Sequence, residues 1–230
     1  MIEPPLDDGT EHDTAAWKAA LSMLPVLGAP LSEMYGVLFD QVDKRRKAWM
    51  VQVSAAINEL QTRHSVSLEA LTTNEAFASF VLQATGVALQ NHRKEKLDAL
   101  RTAIVSVGLP EQGDEDVAFQ FLRYIEVLTP THVSILATIW SKHEEAFKQC
   151  KTLGELYCQL MLFGHPSLDR EVARAFLKDL QGMNLLSLVD LGDYDEFKPN
   201  SVVWVQSEAT QSSPPVVTNL GQHFLKFIGR

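Results

Sequence analysis

Three cations stand four residues apart in the C-terminal half of the chain: Arg170, Arg174 and Lys178. In an α-helix, steps of four residues drift by only ~40°, so these side chains form one positively charged stripe. Such a stripe can enter the major groove of DNA, where arginine binds guanine bidentately. It can equally contact an acidic protein surface or remain a solvated face. Because Glu171 and Asp179 stand beside it, we expect protein contact rather than DNA binding.

A second group of cations is the run of four consecutive residues Lys44, Arg45, Arg46 and Lys47. This run could contact an anionic lipid, a phosphate group or an acidic partner. The alternative is a solvated helix face, because Asp40 and Asp43 lie at helical spacing from it and neutralise part of its charge.

No other cluster has the spacing of a catalytic or metal site. His143-Glu144-Glu145 begins like a zinc-protease helix, but Phe147 occupies the position of the second histidine ligand. Cys150 and Cys158 are not at structural-zinc spacing, and the chain has no nucleophile-elbow or phosphate-loop sequence. We therefore expect no catalytic residue, no metal and no cofactor, and a protein that is not an enzyme.

Charge and cysteine content narrow the class of protein. The net charge is −9, and residues 110–230 carry 10 basic and 16 acidic groups. This acidity argues against a general nucleic-acid binder, whose affinity comes mainly from phosphate neutralisation. Two cysteines provide no disulfide framework, and the acidic residues 1–13 do not resemble a secretory signal. We expect a cytoplasmic protein.

The cations of the C-terminal half fall in an ordered series of predicted elements. A helix opens at Pro130, a second follows a Thr152–Glu155 capping box, and a third spans Leu168 to Gly182. The third helix has an apolar stripe at Val172, Phe176 and Leu180, opposite the cations. His165 is expected to be exposed in the turn that precedes it. Strands at 186–191 and 201–206 flank a polar loop, residues 192–200, and a last helix carries Leu220, Phe224, Phe227 and Ile228.

This order resembles a winged helix-turn-helix domain, with residues 192–200 as the wing. The stretch from Arg170 to Met183 is similar to the third helix of bacterial winged-helix regulators, which leads directly into the first wing strand. The resemblance implies a mostly α protein with a helical N-terminal region and a C-terminal winged helix carrying a small two-stranded β-wing. It also implies an alternative function, that of a DNA-binding transcriptional regulator.

The N-terminal region is predicted to consist of helices. A disordered tail, residues 1–13, precedes a helix near 14–24 and a long helix from Leu31 to His64. Asn74 caps the next helix, in which Gly86 is expected to allow close packing, and another helix spans 94–107. The acidic stretch 111–116 is the predicted domain boundary, so that residues 14–110 form one region. Residues 111–230, with a leading helix near 117–128, form the other.

The uncharged run from Ala19 to Ser32 is too short to span a membrane and contains two prolines. We expect a buried elbow there. The alternatives are an oligomer contact or an interfacial membrane segment, which would make the protein a membrane-acting effector.

A wider resemblance covers the whole chain. Phe77-Ala78-Ser79-Phe80, Arg93-Lys94-Glu95-Lys96-Leu97 and Val217-Thr218-Asn219-Leu220-Gly221 follow the Pro/Gly elbow and the long basic-centred helix. Together they resemble uncharacterised bacterial proteins of the abortive-infection alpha type, which are associated with phage defence. The resemblance implies a place in phage defence. Because no catalytic motif is present, we expect a non-enzymatic interaction or regulatory protein that acts by protein contact and self-associates through its N-terminal helices.

Overall fold

The computed structural model describes residues 29–110, 114–141, 144–150, 153–188 and 216–230, and this part of the chain is mostly helical. The helices are α1 (Ala29–Arg63), α2 (Leu68–Thr73), α3 (Glu75–Gln90), α4 (Lys94–Val107), α5 (Glu115–Val127), α6 (Pro130–Trp140), α7 (Glu144–Lys148), α8 (Leu153–Phe163), α9 (Arg170–Gly182) and α10 (Asn219–Phe227). The strands are β1 (Leu186–Ser187) and β2 (Val216–Val217). The predicted tail and the predicted helix at 14–24 lie outside the described residues.

The chain divides into two compact units, one that ends at Glu126 and one that begins at Val127. In the first unit, α1, α3 and α4 pack against one another. Their shared core is apolar and comes from all three helices: Trp49, Val53, Ala56, Leu60, Phe77, Phe80, Ala84, Leu100, Ala103, Ile104 and Val107. The predicted helices over 31–64 and 94–107 are confirmed by α1 and α4.

Side-chain hydrogen bonds fix α3 at its start and along its length. Asn74 is the N-cap, as predicted, and its side chain accepts the amide N–H of Phe77 at 3.0 Å. This bond satisfies one of the donors that a helix start leaves without a partner. The Trp49 indole donates to the hydroxyl of Thr85 at 3.0 Å and so joins α1 to α3.

The expectation for Gly86 is wrong. This residue is exposed on α3, and a Cβ atom there would have no neighbour within 4 Å. The close approach in this unit occurs at Gly108, directly after α4, where a Cβ would lie only 2.3 Å from Cδ1 of Leu60. Because Leu60 is fully buried, its side chain cannot move aside.

The helix α5 is grouped with the first unit, whereas the sequence assigned it to the C-terminal region. Two contacts explain the grouping. Phe119 packs against Phe80 of α3 with ring centroids 5.7 Å apart, and the Lys96 ammonium donates to the carbonyl of Glu126 at 2.6 Å. The acidic stretch 111–116 was predicted as the boundary from its composition alone. Composition carries no information about the contacts that α5 makes with α3 and α4.

The second unit packs its helices around α6, which contacts α8, α9, α10 and β2. Pro130 is at the start of α6, as predicted, and Thr129 caps it. The core comes from every larger element of the unit: Ile135, Leu136, Ile139, Leu156, Leu160, Ala173, Leu177, Leu180, Leu185, Leu186, Val217, Phe224 and Leu225.

The two strands pair antiparallel, with Leu186 opposite Val217 and Ser187 opposite Val216. The strand β1 coincides with the first residues of the strand predicted at 186–191. The second predicted strand, 201–206, and the predicted wing lie outside the described residues. The sequence did not indicate β2, because two residues are too short to show the alternation that marks a strand.

Candidate functional site

The helix α9 is positioned at its start by a cap and by α8. The carboxylate of Asp169 accepts the amide N–H groups of Glu171 at 2.9 Å and Val172 at 3.2 Å. The Tyr157 hydroxyl of α8 donates to the carbonyl of Leu168 at 2.8 Å, in the turn between the two helices. These contacts fix where α9 begins and which of its faces meets α8.

The buried face of α9 differs from the predicted one. Ala173, Leu177 and Leu180 are buried, whereas Val172 is 41% exposed. The predicted stripe of Val172, Phe176 and Leu180 is therefore wrong at its first residue. The inward face is displaced by part of a turn, because α9 packs on both α6 and α8.

This displacement changes where the predicted cations lie. Arg170 and Arg174 are half-buried and line a shallow groove between α8 and α9. Lys178 is exposed and is not among the lining residues. The three side chains share one helix, as the spacing indicated, but the two arginines border the buried face instead of standing opposite it.

The groove between α8 and α9 is lined by Leu153 and Tyr157 of α8 and by Ala173 and Leu177 of α9, with Gly154 also contributing. Its charged lining residues are Arg170, Arg174 and Glu171, so positive charge is in excess.

The exposed residues of α9 carry little positive charge: they are Glu171, Val172, Ala175, Lys178, Asp179, Gln181 and Gly182. One lysine stands among two carboxylates. Lys178 is therefore the one cation among the exposed residues of α9.

His132 is a buried residue that the sequence analysis did not single out. It lies near the start of α6, where its Nδ1 accepts the backbone N–H of Thr129 at 3.2 Å and completes a capping box. Its Nε2 is 3.3 Å from a carboxylate oxygen of Asp179, and its ring packs on Phe176 of α9 at 4.1 Å. The usual capping-box signal has glutamate or glutamine in this place, so the pattern alone could not reveal it.

His165 is half-buried, so the expectation of an exposed turn histidine is wrong. Its Nε2 lies 3.4 Å from the hydroxyls of Ser134 and Thr138, both on α6. Burial lowers the pKa of His165, and a hydrogen bond to the Ser134 backbone opposes that shift in part. The neutral imidazole is thus favoured in the folded chain. The stability that His165 contributes is present above pH 6.5 and is lost as the pH falls from 6.5 through the lowered pKa of the folded chain.

The four cations on α1 have different environments. Arg45 is half-buried and donates to the carbonyl of Leu89 at 3.4 Å, near the end of α3. Lys47 forms an ion pair with Asp43 at 3.2 Å, as the helical spacing indicated. Lys44 and Arg46 are exposed. The run is therefore not a single binding patch, because Arg45 fastens α1 to α3.

The two cysteines lie in different environments, and that of Cys150 does not favour a reactive thiol. Both are free, with Cys150 buried and Cys158 exposed on α8. Burial, followed by the effects of Glu155 and Cys158, raises the pKa of Cys150 to about 11. A thiol with a raised pKa is rarely ionised at neutral pH and is therefore a poor nucleophile.

Within the described ranges, no group of three or more histidine, cysteine, aspartate or glutamate side chains is arranged to hold a metal ion. None of the described helices is long and apolar enough to cross a bilayer, and most of the apolar run 19–32 lies outside them. Comparison of the chain with known families, curated proteins and solved structures found no match.

Proposed function

We propose that this chain is a non-enzymatic interaction protein whose second unit is a winged helix that contacts a protein partner. Support for the fold is the order α6, α8, α9, β1, β2, α10, with the strands antiparallel. The strand pair encloses residues 188–215, which include the predicted wing at 192–200. The whole-chain resemblance to abortive-infection alpha proteins supports a place in bacterial phage defence.

The observation that carries the protein-contact function is the exposed face of α9. It presents Val172 and Ala175 to solvent between one lysine and two carboxylates. Because the two arginines line the groove, the outward face lacks the cations that hold a DNA backbone. The same face presents Val172 and Ala175, whose apolar surface a protein partner would bury.

A DNA-binding measurement tests this function directly. We expect a labelled random-sequence duplex to bind no more tightly than ~10⁻⁵ M at physiological salt, as in nonspecific binding. Fluorescence anisotropy across a salt series measures the affinity, with Arg123→Glu on α5 as a control for the loss of any exposed cation. A salt-sensitive nanomolar affinity that Arg174→Glu abolishes and Arg123→Glu preserves would instead make α9 a DNA-recognition helix.

The first unit offers a contact for a second copy of the chain. By helical spacing, Val42 lies on the same face of α1 as the buried Trp49 and Leu60, yet it is 45% exposed. The reason is that Arg45, three residues after Val42 in α1, contacts the end of α3, so Val42 lies beyond that end. In the sequence, Leu31, Tyr35 and Leu38 precede Val42 at spacings of three and four residues, and this repeat supports self-association through α1.

We expect the wild-type chain to be a dimer or larger oligomer at micromolar concentration and Val42→Asp to be a monomer, because a carboxylate in an apolar contact loses its hydration. Light scattering after size-exclusion chromatography measures the mass. Val51→Asp is the matched control, since Val51 is 50% exposed on the opposite side of α1 and should leave the mass unchanged. A monomeric wild-type chain, or equal dissociation by both variants, would contradict self-association through this face.

A further inference from the structure

The groove between α8 and α9 combines two guanidinium groups with an apolar base. Arg170 and Arg174 stand one turn apart on α9, which places their Cβ atoms about 5–6 Å from each other. Ala173 and Leu177 form the base and are both 1% exposed, and Tyr157 lies across the groove on α8. Because Ala173 and Leu177 are too deeply buried to contact a ligand, the accessible apolar lining consists of the half-buried Leu153 and Tyr157 of α8, opposite the two guanidinium groups.

Arginine pairs at this separation suit a carboxylate. A guanidinium has five N–H donors and binds a carboxylate through two parallel hydrogen bonds. Arg170 and Arg174 can therefore take a ligand in addition to other contacts they make. Both side chains are half-buried, and a charge-assisted hydrogen bond is stronger there than in open water.

The charge of the surroundings favours a protein carboxylate over a nucleic-acid phosphate. The chain has a net charge of −9, and α9 carries Glu171 beside the arginines and Asp179 on another side of the helix. A duplex carries many phosphates and would meet these carboxylates wherever it extended beyond the groove. A single acidic side chain meets one lining carboxylate, Glu171, and two guanidinium groups, so attraction exceeds repulsion there.

We propose that the groove binds an acidic side chain of the protein partner, within a short segment that also has apolar residues. This proposal rests on the proposed function and specifies the chemistry of the partner. Arg170 and Arg174 hold the carboxylate, and the half-buried Leu153 and Tyr157 contact its apolar neighbours.

The experiment uses the full chain and a labelled peptide of alternating glutamate and leucine, about ten residues long so that it spans ~30 Å when extended. A second labelled peptide, with glutamine in place of every glutamate, is the uncharged comparison. Fluorescence anisotropy measures both affinities, and a random-sequence DNA duplex is titrated separately. We expect Arg170→Ala or Arg174→Ala to weaken binding of the acidic peptide about tenfold, with a smaller loss for Arg174→Lys, which keeps the charge without the planar fork.

Lys226→Ala is the matched control, because it removes the same charge from an exposed position on α10, outside both the groove and the exposed face of α9. Binding that needs glutamate, falls with either arginine variant and survives Lys226→Ala supports the proposal. An equal loss with Lys226→Ala would overturn it, since general charge attraction would then explain the binding. If the chain binds neither peptide, this inference alone is overturned. Tight arginine-dependent binding of the duplex would overturn the proposed function as well.

Discussion

Replacement of Gly221 by alanine is expected to destabilise the second unit by about 3 kcal/mol, at the upper end of the usual cost of overpacking. A Cβ atom at this position would lie 2.2 Å from the carbonyl oxygen of Leu185 and 2.9 Å from a methyl group of Val217. The carbonyl cannot retreat, because it accepts the backbone N–H of Thr218 at 3.1 Å and Leu185 is fully buried. The start of α10 would have to move away from the chain segment that leads into β1.

Thermal unfolding by circular dichroism and amide exchange in α10 would measure this loss. Gly182→Ala is the matched control, because a Cβ at the end of α9 meets nothing within 4 Å. Alanine is favoured over glycine inside a helix by up to ~1 kcal/mol, so the control should be neutral or slightly stabilising. If Gly221→Ala unfolds at the wild-type temperature, α10 does not approach Leu185 this closely.

Phe80→Ala is expected to cost the first unit about 3–5 kcal/mol, the usual range for a buried aromatic residue. Phe80 is fully buried on α3, and its ring packs against Phe119 of α5. The variant should therefore reduce the amide protection of α5 together with that of α3. Chemical denaturation measures the free energy, and hydrogen exchange shows which helices are affected.

Leu82→Ala provides the comparison on the same helix. Leu82 is 73% exposed, so its truncation should change the free energy of unfolding by less than ~0.5 kcal/mol. Unchanged protection of α5 in Phe80→Ala, despite a large loss in α3, would show that α5 does not depend on the first unit.

The sequence predicts the longer helices of the first unit well, because each has a long periodic pattern and a recognisable end, whereas the six-residue α2 is too short to show such a pattern. Asn74 and Gly108 mark such ends, and the apolar residues of α4 leave one choice of inward face. The strand β2 could not be predicted, because Val216 and Val217 become a strand only by pairing with β1. The exposure of Gly86 was equally hard to predict, because a glycine adds nothing to the apolar pattern that marks the buried face of a helix.

The candidate site was predictable in part. Spacing alone places Arg170, Arg174 and Lys178 on one side of a helix. It cannot choose the buried face of α9, because Val172 and Ala173 are both apolar and either could begin a stripe that ends at Leu180. The packing of α9 against α6 and α8 makes that choice and thereby separates the arginines from the lysine.

The helix α1 is 35 residues long, whereas α3 has 16 and α4 has 14. A free helical segment of a dozen residues is marginal in water, because the first turn must form before any hydrogen bond is gained. In α1 that first turn already exists in the packed part from Trp49 to Leu60, so residues before Arg45 only add turns to an existing helix. The packed part of α1 therefore removes the free-energy cost of nucleation for the rest of the helix.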